Sequence, residues 1–153
     1  MTTSVRHVRG ILDTSTVITL RRLTDASVLP DEPLITAVTL AELSVGPLVA
    51  TSDDERAARQ AHVQQAEADF DPLPFDAQAA RAFGQVAASL RRAGRKPAAR
   101  AFDAMIAATA LAHGLPIFSC NPDDFGGIDG LEVVAVPVSV DPRRASIESG
   151  GEP

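Results

Sequence analysis

The sequence has no tryptophan and no tyrosine, one cysteine and three histidines. Without the two amphipathic aromatics, platforms for stacking nucleic-acid bases are scarce, and the six phenylalanines are expected mostly in the core. The single Cys120 excludes an internal disulfide and a cysteine-based zinc cluster within one chain, and it points to a reducing compartment. His7, His62 and His113 are scattered, with no H-E-x-x-H spacing for a zinc site. Arg6, His7 and Arg9 break up the N-terminus, so no secretory signal is expected there. The longest apolar stretch, residues 104–112, contains Thr109 and falls far below the roughly 18 residues a membrane span requires. These absences predict a cytoplasmic protein with no membrane segment. An excess of positive charge is lacking too. The formal net charge of −6 argues against a general nucleic-acid coat, but not against a nucleic-acid enzyme with an acidic metal cleft.

What is present is an ordinary globular composition: 45% hydrophobic and 22% charged residues in a 153-residue chain. That length is enough for one domain with a real core. Residues 8–12 read as a buried first strand. Thr14 or Ser15 can cap a helix that runs to about residue 23. Residues 34–37 form a short second strand, and Thr39 starts a helix that ends near Gly46 and Pro47. Ser52 to Glu55 is a capping-box start for a helix to about residue 69. Residues 73–75, flanked by Pro72 and Pro74, suit a short edge strand. Asp76 caps a helix with a 3.6-residue apolar period that Gly94 ends, and a further helix covers about 98–113 before Gly114. Strands are expected at 116–120 and 131–136, with a helical turn at Pro122 between them. Alternating strands and helices predict an α/β fold, a three-layer α/β/α sandwich around a central, mostly parallel sheet. Residues 1–137 form one domain in this reading, and 138–153 a mobile tail rich in proline, glycine and charge.

Four acids stand where ligands gather in such a sheet, outside the carboxyl ends of the strands. Asp13 closes the first strand. Glu42 lies in the first turn of the helix after the second. Asp103 shares a helical stripe with the apolar Ile106, Ala107 and Ala110, and Asp124 follows the strand at 116–120. Each has an ordinary alternative. Asp13 suits an N-cap, Glu42 closes a Thr39-x-x-Glu42 capping box, Asp103 favours a helix dipole, and Asp123-Asp124 suits a polar turn. Serines such as Ser15 and Ser119 are more often turn or cap hydroxyls than supports for a metal ligand. Taken together, inward carboxylates repel one another unless a hard cation joins them, and oxygen-only ligands favour Mg²⁺ or Mn²⁺ over zinc.

These segments resemble the PIN-domain ribonucleases, and within them the VapC-type toxins of bacterial toxin–antitoxin pairs. Ile11-Leu12-Asp13-Thr14-Ser15 is similar to the opening motif of that family. The run from Thr39 to Gly46 fits T-x-x-E-L-x-x-G, that from Asp103 to Ala110 fits D-x-x-I-A-A-x-A, and that from Ser119 to Phe125 fits [S/T]-x-N-x-x-D-F. Any one motif is weak; the four in order are specific, and they span the chain from about Arg9 to Val136. Some family members carry an acid where this chain has Asn121, so a second ion would be held loosely. The resemblance implies Mg²⁺-dependent hydrolysis of an RNA phosphodiester, with Mn²⁺ as a substitute. Asp13 and Asp103 would be the primary metal ligands, Glu42 would act through water or orient the nucleophile, and Asp124 would support a second ion or a water. Ser15, Ser119 and Asn121 would hydrogen-bond the ligands or the substrate. It also implies a VapB-like antitoxin and a homodimer. The small apolar faces of residues 40–49 and of the helix from Asp53 could form a groove for a partner, although core packing is the more ordinary use of most of those residues.

The substrate contact expected from the residues is the basic run 91–100, where Arg91, Arg92, Arg95, Lys96 and Arg100 make five cations in ten residues. They could guide an RNA backbone to the metal, or simply solvate a helix end. With few surface aromatics, readout would rest on shape and loop access, as in tRNA or ribosomal RNA. Two other functions compete. A haloacid-dehalogenase-like phosphatase also opens on an aspartate after the first strand, but it needs a second aspartate two residues on, where this chain has Ser15. A non-catalytic binding module of the same fold would bind no metal.

Overall fold

The computed structural model of the protein describes residues 6–23 and 25–138. Its centre is a four-stranded parallel sheet built from β1 (Arg9–Leu12), β2 (Glu32–Leu34), β3 (Ile117–Ser119) and β4 (Val133–Ala135), in the spatial order β2-β1-β3-β4. Register is fixed by Ile11 opposite Leu34 on one side and Ile117 on the other, and by Phe118 opposite Val134. Gly10 is required by a close approach. A Cβ there would stand 2.4 Å from the Phe118 ring.

The inner strands are buried on both faces, which is what crossover helices impose on a parallel sheet. Ile11 and Ile117 point into one core with Val86, Leu90 and Ile106; Leu12 and Phe118 point into the other with Val17, Leu43 and Val63. Helices α4 (Ala77–Arg92) and α5 (Ala101–His113) cover the first face. Helices α1 (Thr14–Thr19) and α3 (Asp53–Asp69) cover the second, and α2 (Ala37–Val45) contributes to both cores. The result is the expected three-layer α/β/α sandwich. Among the described residues no helix is long and apolar enough to cross a membrane.

Several boundaries differ from the sequence reading, each for a local reason. Asp13, not Thr14 or Ser15, caps α1, and the helix tightens into a 3₁₀ turn at Leu20–Arg22 instead of continuing to residue 23. Thr36, not Thr39, caps α2. Its Oγ1 accepts from the Thr39 N–H at 3.2 Å, so the second strand ends at Leu34. The strand expected at 73–75 shrinks to one parallel bridge between Thr36 and Leu73, because Pro72 and Pro74 have no N–H to extend a ladder. Helix α5 begins at Ala101, after a 3₁₀ turn at Pro97–Arg100. Caps at Ser52 and Asp76 and the left-handed Gly114 fall where expected. Of the tail expected at 138–153, only Val138 lies within the described residues.

Candidate active site

The chain leaves β1 toward β2 on one side and β3 lies on the other, so the switch point of the sheet falls at the carboxyl ends of β1 and β3. Asp13 stands there, 3% exposed. A buried carboxylate needs donors, and Asp13 has four groups to supply them. Oδ1 accepts from the Thr16 N–H at 3.0 Å and from the Thr16 hydroxyl at 2.6 Å, the Ser15 hydroxyl lies 3.0 Å from both oxygens, and the Ser119 hydroxyl donates to Oδ2 at 2.7 Å. The N-cap reading and the site reading of Asp13 are therefore one geometry. Ser119 is set in turn by the Asn121 N–H, which donates to its Oγ at 2.9 Å. Asn121 thus acts through its backbone; its side chain makes no hydrogen bond among the described residues.

Glu42 lies in the second turn of α2, because that helix starts at Ala37. The expected Thr39-x-x-Glu42 box is not formed, since Thr39 is already helical. The Thr14 hydroxyl donates to Glu42 Oε1 at 2.8 Å instead. With that proton committed, Thr39 is left to donate to Thr14 across 3.0 Å. Burial raises the Glu42 pKa, the Thr14 hydrogen bond opposes the rise, and the charge of Asp13 adds to it.

Asp103 occupies the first turn of α5 and accepts no hydrogen bond among the described residues. Burial first, and then the charges of Asp124, Glu42 and Asp13, push its pKa up to about 6, with Arg100 opposing. All four acids therefore share one field. Asp124, in the turn Pro122–Phe125, is paired with Arg100.

Hydroxyls and Arg100 hold three of these acids in place, and the arrangement is open. Among the described residues no three His, Cys, Asp or Glu side chains form a ready-made cage for an ion. A cation here would be held by few protein oxygens and several waters, the habit of Mg²⁺. The donor set fits it: it is oxygen only, and Asp103 is a carboxylate with no hydrogen bond among the described residues that feels the charges of the other three.

The basic run is less free than its sequence suggests. Arg92 pairs with Asp129, Arg95 donates to the Asp123 carbonyl at 3.0 Å, and Arg100 is held by Asp124. Within this run only Arg91 and Lys96 are exposed and have no partner among the described residues. Sequence reasoning missed Thr14, Thr16 and Thr39; the Thr-Ser-Thr run directly after a strand-end aspartate was the available signal. It also missed Phe102, 55% exposed and next to Asp103, although most of the phenylalanines were expected in the core.

Comparison with known proteins follows the same segments. Residues 8–131 match the PIN domain family. Ribonuclease VapC5 of Mycobacterium tuberculosis is 40% identical over 135 residues, which is 87% of this chain and 97% of that protein. Ribonuclease VapC of Rickettsia bellii is 30% identical over 84% of this chain and 96% of its own length. The crystal structure of VapBC-5, a member of the VapBC family of toxin–antitoxin systems from Mycobacterium tuberculosis, covers 84% of this chain and 99% of its own at a TM-score of 0.74 and 39% identity. DNA-bound VapBC from Salmonella typhimurium covers 85% and 99% at a TM-score of 0.68 and 26% identity.

Proposed function

This chain belongs to the PIN-domain family, as a VapC-type ribonuclease of the toxin–antitoxin kind, and from that premise we propose that it hydrolyses phosphodiester bonds of a structured RNA, of the tRNA or ribosomal type, with Mg²⁺ as cofactor and Mn²⁺ as a working substitute. The observation that carries this reading is Asp103: a carboxylate with no hydrogen bond among the described residues, pushed up to a pKa of about 6 by burial and then by the charges of Asp124, Glu42 and the hydroxyl-anchored Asp13.

Asp13 and Asp103 would hold the ion. When bound, Mg²⁺ lowers the pKa of water and neutralises charge that builds on phosphate oxygens. The chain's own residues do the rest. Ser15, Thr16 and Ser119 fix both oxygens of Asp13, so the ligand does not have to be ordered when the substrate arrives. Thr14 fixes Glu42 Oε1 and leaves Oε2 to orient an attacking water and accept its proton, and the raised pKa of Glu42 makes it a better acceptor. No histidine belongs to the cluster to compete for that task. Arg91 and Lys96 supply phosphate contacts beyond the reacting one.

The partner is a VapB-like antitoxin, and the protein works as a homodimer in the cytoplasm. A groove of about 500 Å³ between the turn Gly46–Val49 and α3 supports a docking role; Pro47, Leu48, Arg56 and Ala57 line it. Leu48 is 85% exposed at its rim. The phosphatase alternative fails on its own requirement. Position 15 needs a general acid, and Ser15 instead donates its proton to Asp13.

RNA 5′ ends mapped after induced expression test the function. Wild type produces discrete new ends, whereas Asp13→Ala and Asp103→Ala each lower cleavage by more than about a hundredfold, the scale at which even supporting residues of a metal site act. Wild-type cleavage by a folded Asp103→Ala protein would falsify the reading.

A further inference from the structure

Among the described residues, the acids of the site are met by one cation, Arg100. Arg100 Nη1 donates to Asp124 Oδ1, and the two side chains remain 42% and 37% exposed, so the pair is partly open to solvent. The chain places it there. Proline at the start of the turn Pro97–Arg100 sets the backbone, and Arg100 is the N-cap residue of α5, three positions ahead of Asp103. Of the five cations in the basic run, Arg100 alone is bonded to a carboxylate of the acid group; Arg92 goes to Asp129 and Arg95 to a carbonyl. The turn that carries Asp124 begins at the neutral Asn121, so Asp124 has no acidic companion of its own at that residue.

We propose that Arg100 is a built-in counter-ion that takes the place of a second divalent cation, so that the site accepts one ion on the Asp13–Asp103 side while Asp124 anchors the guanidinium instead of binding metal. With Arg100 seated, one divalent ion leaves the four carboxylates one charge short of neutral. A second ion would have to displace the guanidinium from Asp124. Because Arg100 is covalently fixed three residues from Asp103, no dilution or salt change removes it as a free ion would be removed. A guanidinium is also always charged, so this counter-ion is present at every working pH. Arg100 is then a positioning residue, and not one of the phosphate-tracking cations.

The inference rests on the metal-dependent reading of the site, and Mn²⁺ binding to the purified chain separates the two. Calorimetry and electron paramagnetic resonance count ions without any turnover. Wild type should bind one Mn²⁺ per chain, and Arg100→Gln should bind two, or gain at least tenfold in affinity for a second. Asp124→Asn should keep a stoichiometry of one with affinity changed less than threefold, whereas Asp103→Asn should lose it. The melting temperature of each variant without metal establishes that it is folded. Two ions in wild type, an unchanged single ion in Arg100→Gln, or loss of binding in Asp124→Asn would overturn the assignment of Arg100 and leave the metal reading standing. No Mn²⁺ on wild type would overturn both.

Discussion

Burial, and after it the charges of Asp124, Glu42 and Asp13, disfavour the ionised form of Asp103, and this costs the folded protein stability when no cation is bound. Its folded pKa, about 6, lies above the unfolded value of 3.8. The folded state therefore holds the proton more tightly, and stability falls as pH rises from about 4 through about 6. Asp103→Asn removes the ionisable group. Without metal at pH 7.5 this variant should melt about 2–4 °C above wild type, since partial exposure screens the effect to roughly 1 kcal/mol. At pH 4.5 the gap should shrink toward zero. Millimolar Mg²⁺ should reverse the order at pH 7.5, because the ion stabilises only the chain that binds it. Scanning calorimetry at the two pH values, with and without Mg²⁺, checks all three, and a variant less stable than wild type at pH 7.5 without metal would contradict the raised pKa. Asp13 was legible in the sequence because a strand end and an N-cap ask for the same residue. Of the hydroxyls around it, Ser15 and Ser119 were legible as candidates, but Thr16 was not. Thr14, Ser15 and Thr16 are chemically equivalent on paper, and only the fold sends Thr14 to Glu42 and Thr16 to Asp13.

At the scale of elements, the basic segment shows how tertiary structure edits a charge pattern. The run 91–100 reads as one stripe, yet it is the end of α4, a loop and a 3₁₀ turn, and these aim its cations in different directions. Partners distant in sequence, Asp129 and the Asp123 carbonyl, take up Arg92 and Arg95. No local period announces such pairings. The consequence is a division of labour that salt can measure. Arg91→Ala and Lys96→Ala should each reduce the slope of log affinity against log salt by about 0.7 for single-stranded RNA. Arg92→Ala should leave it nearly unchanged. Filter binding of a catalytically silent Asp13→Ala background to RNA at graded salt reads this directly. A full loss of slope in Arg92→Ala would mean that its pair with Asp129 opens on binding. The start of α2 follows the same logic. Thr36 and Thr39 are both plausible caps, and the bridge from Thr36 to Leu73 selects the earlier one.

For the whole molecule, alternation of strands and helices made the layered α/β class legible, but not the strand order. The β-strands are short, and those at the centre are apolar on both faces, so nothing in their sequences says which neighbours which; burial of Ile11 and Leu12 on opposite sides settles β1 at the centre. The same packing leaves an apolar cluster outside. Val45, Leu48 and Val49 are 52%, 85% and 61% exposed at the end of α2 and in the turn after it. Exposed aliphatic groups beside a groove mark an interaction surface. Leu48→Asp should therefore weaken the complex with the cognate antitoxin by about tenfold or more, the loss expected for an anchor side chain. It should leave RNA cleavage by the free toxin intact, because Leu48 belongs to no contact of the acid cluster. Its melting temperature should stay close to wild type, as for most surface substitutions. Calorimetric titration of antitoxin into toxin gives the affinity, and light scattering of the free toxin gives its mass. Unchanged affinity with a halved mass would assign the patch to the contact between two copies of the toxin, and unchanged values of both would remove it from either interface.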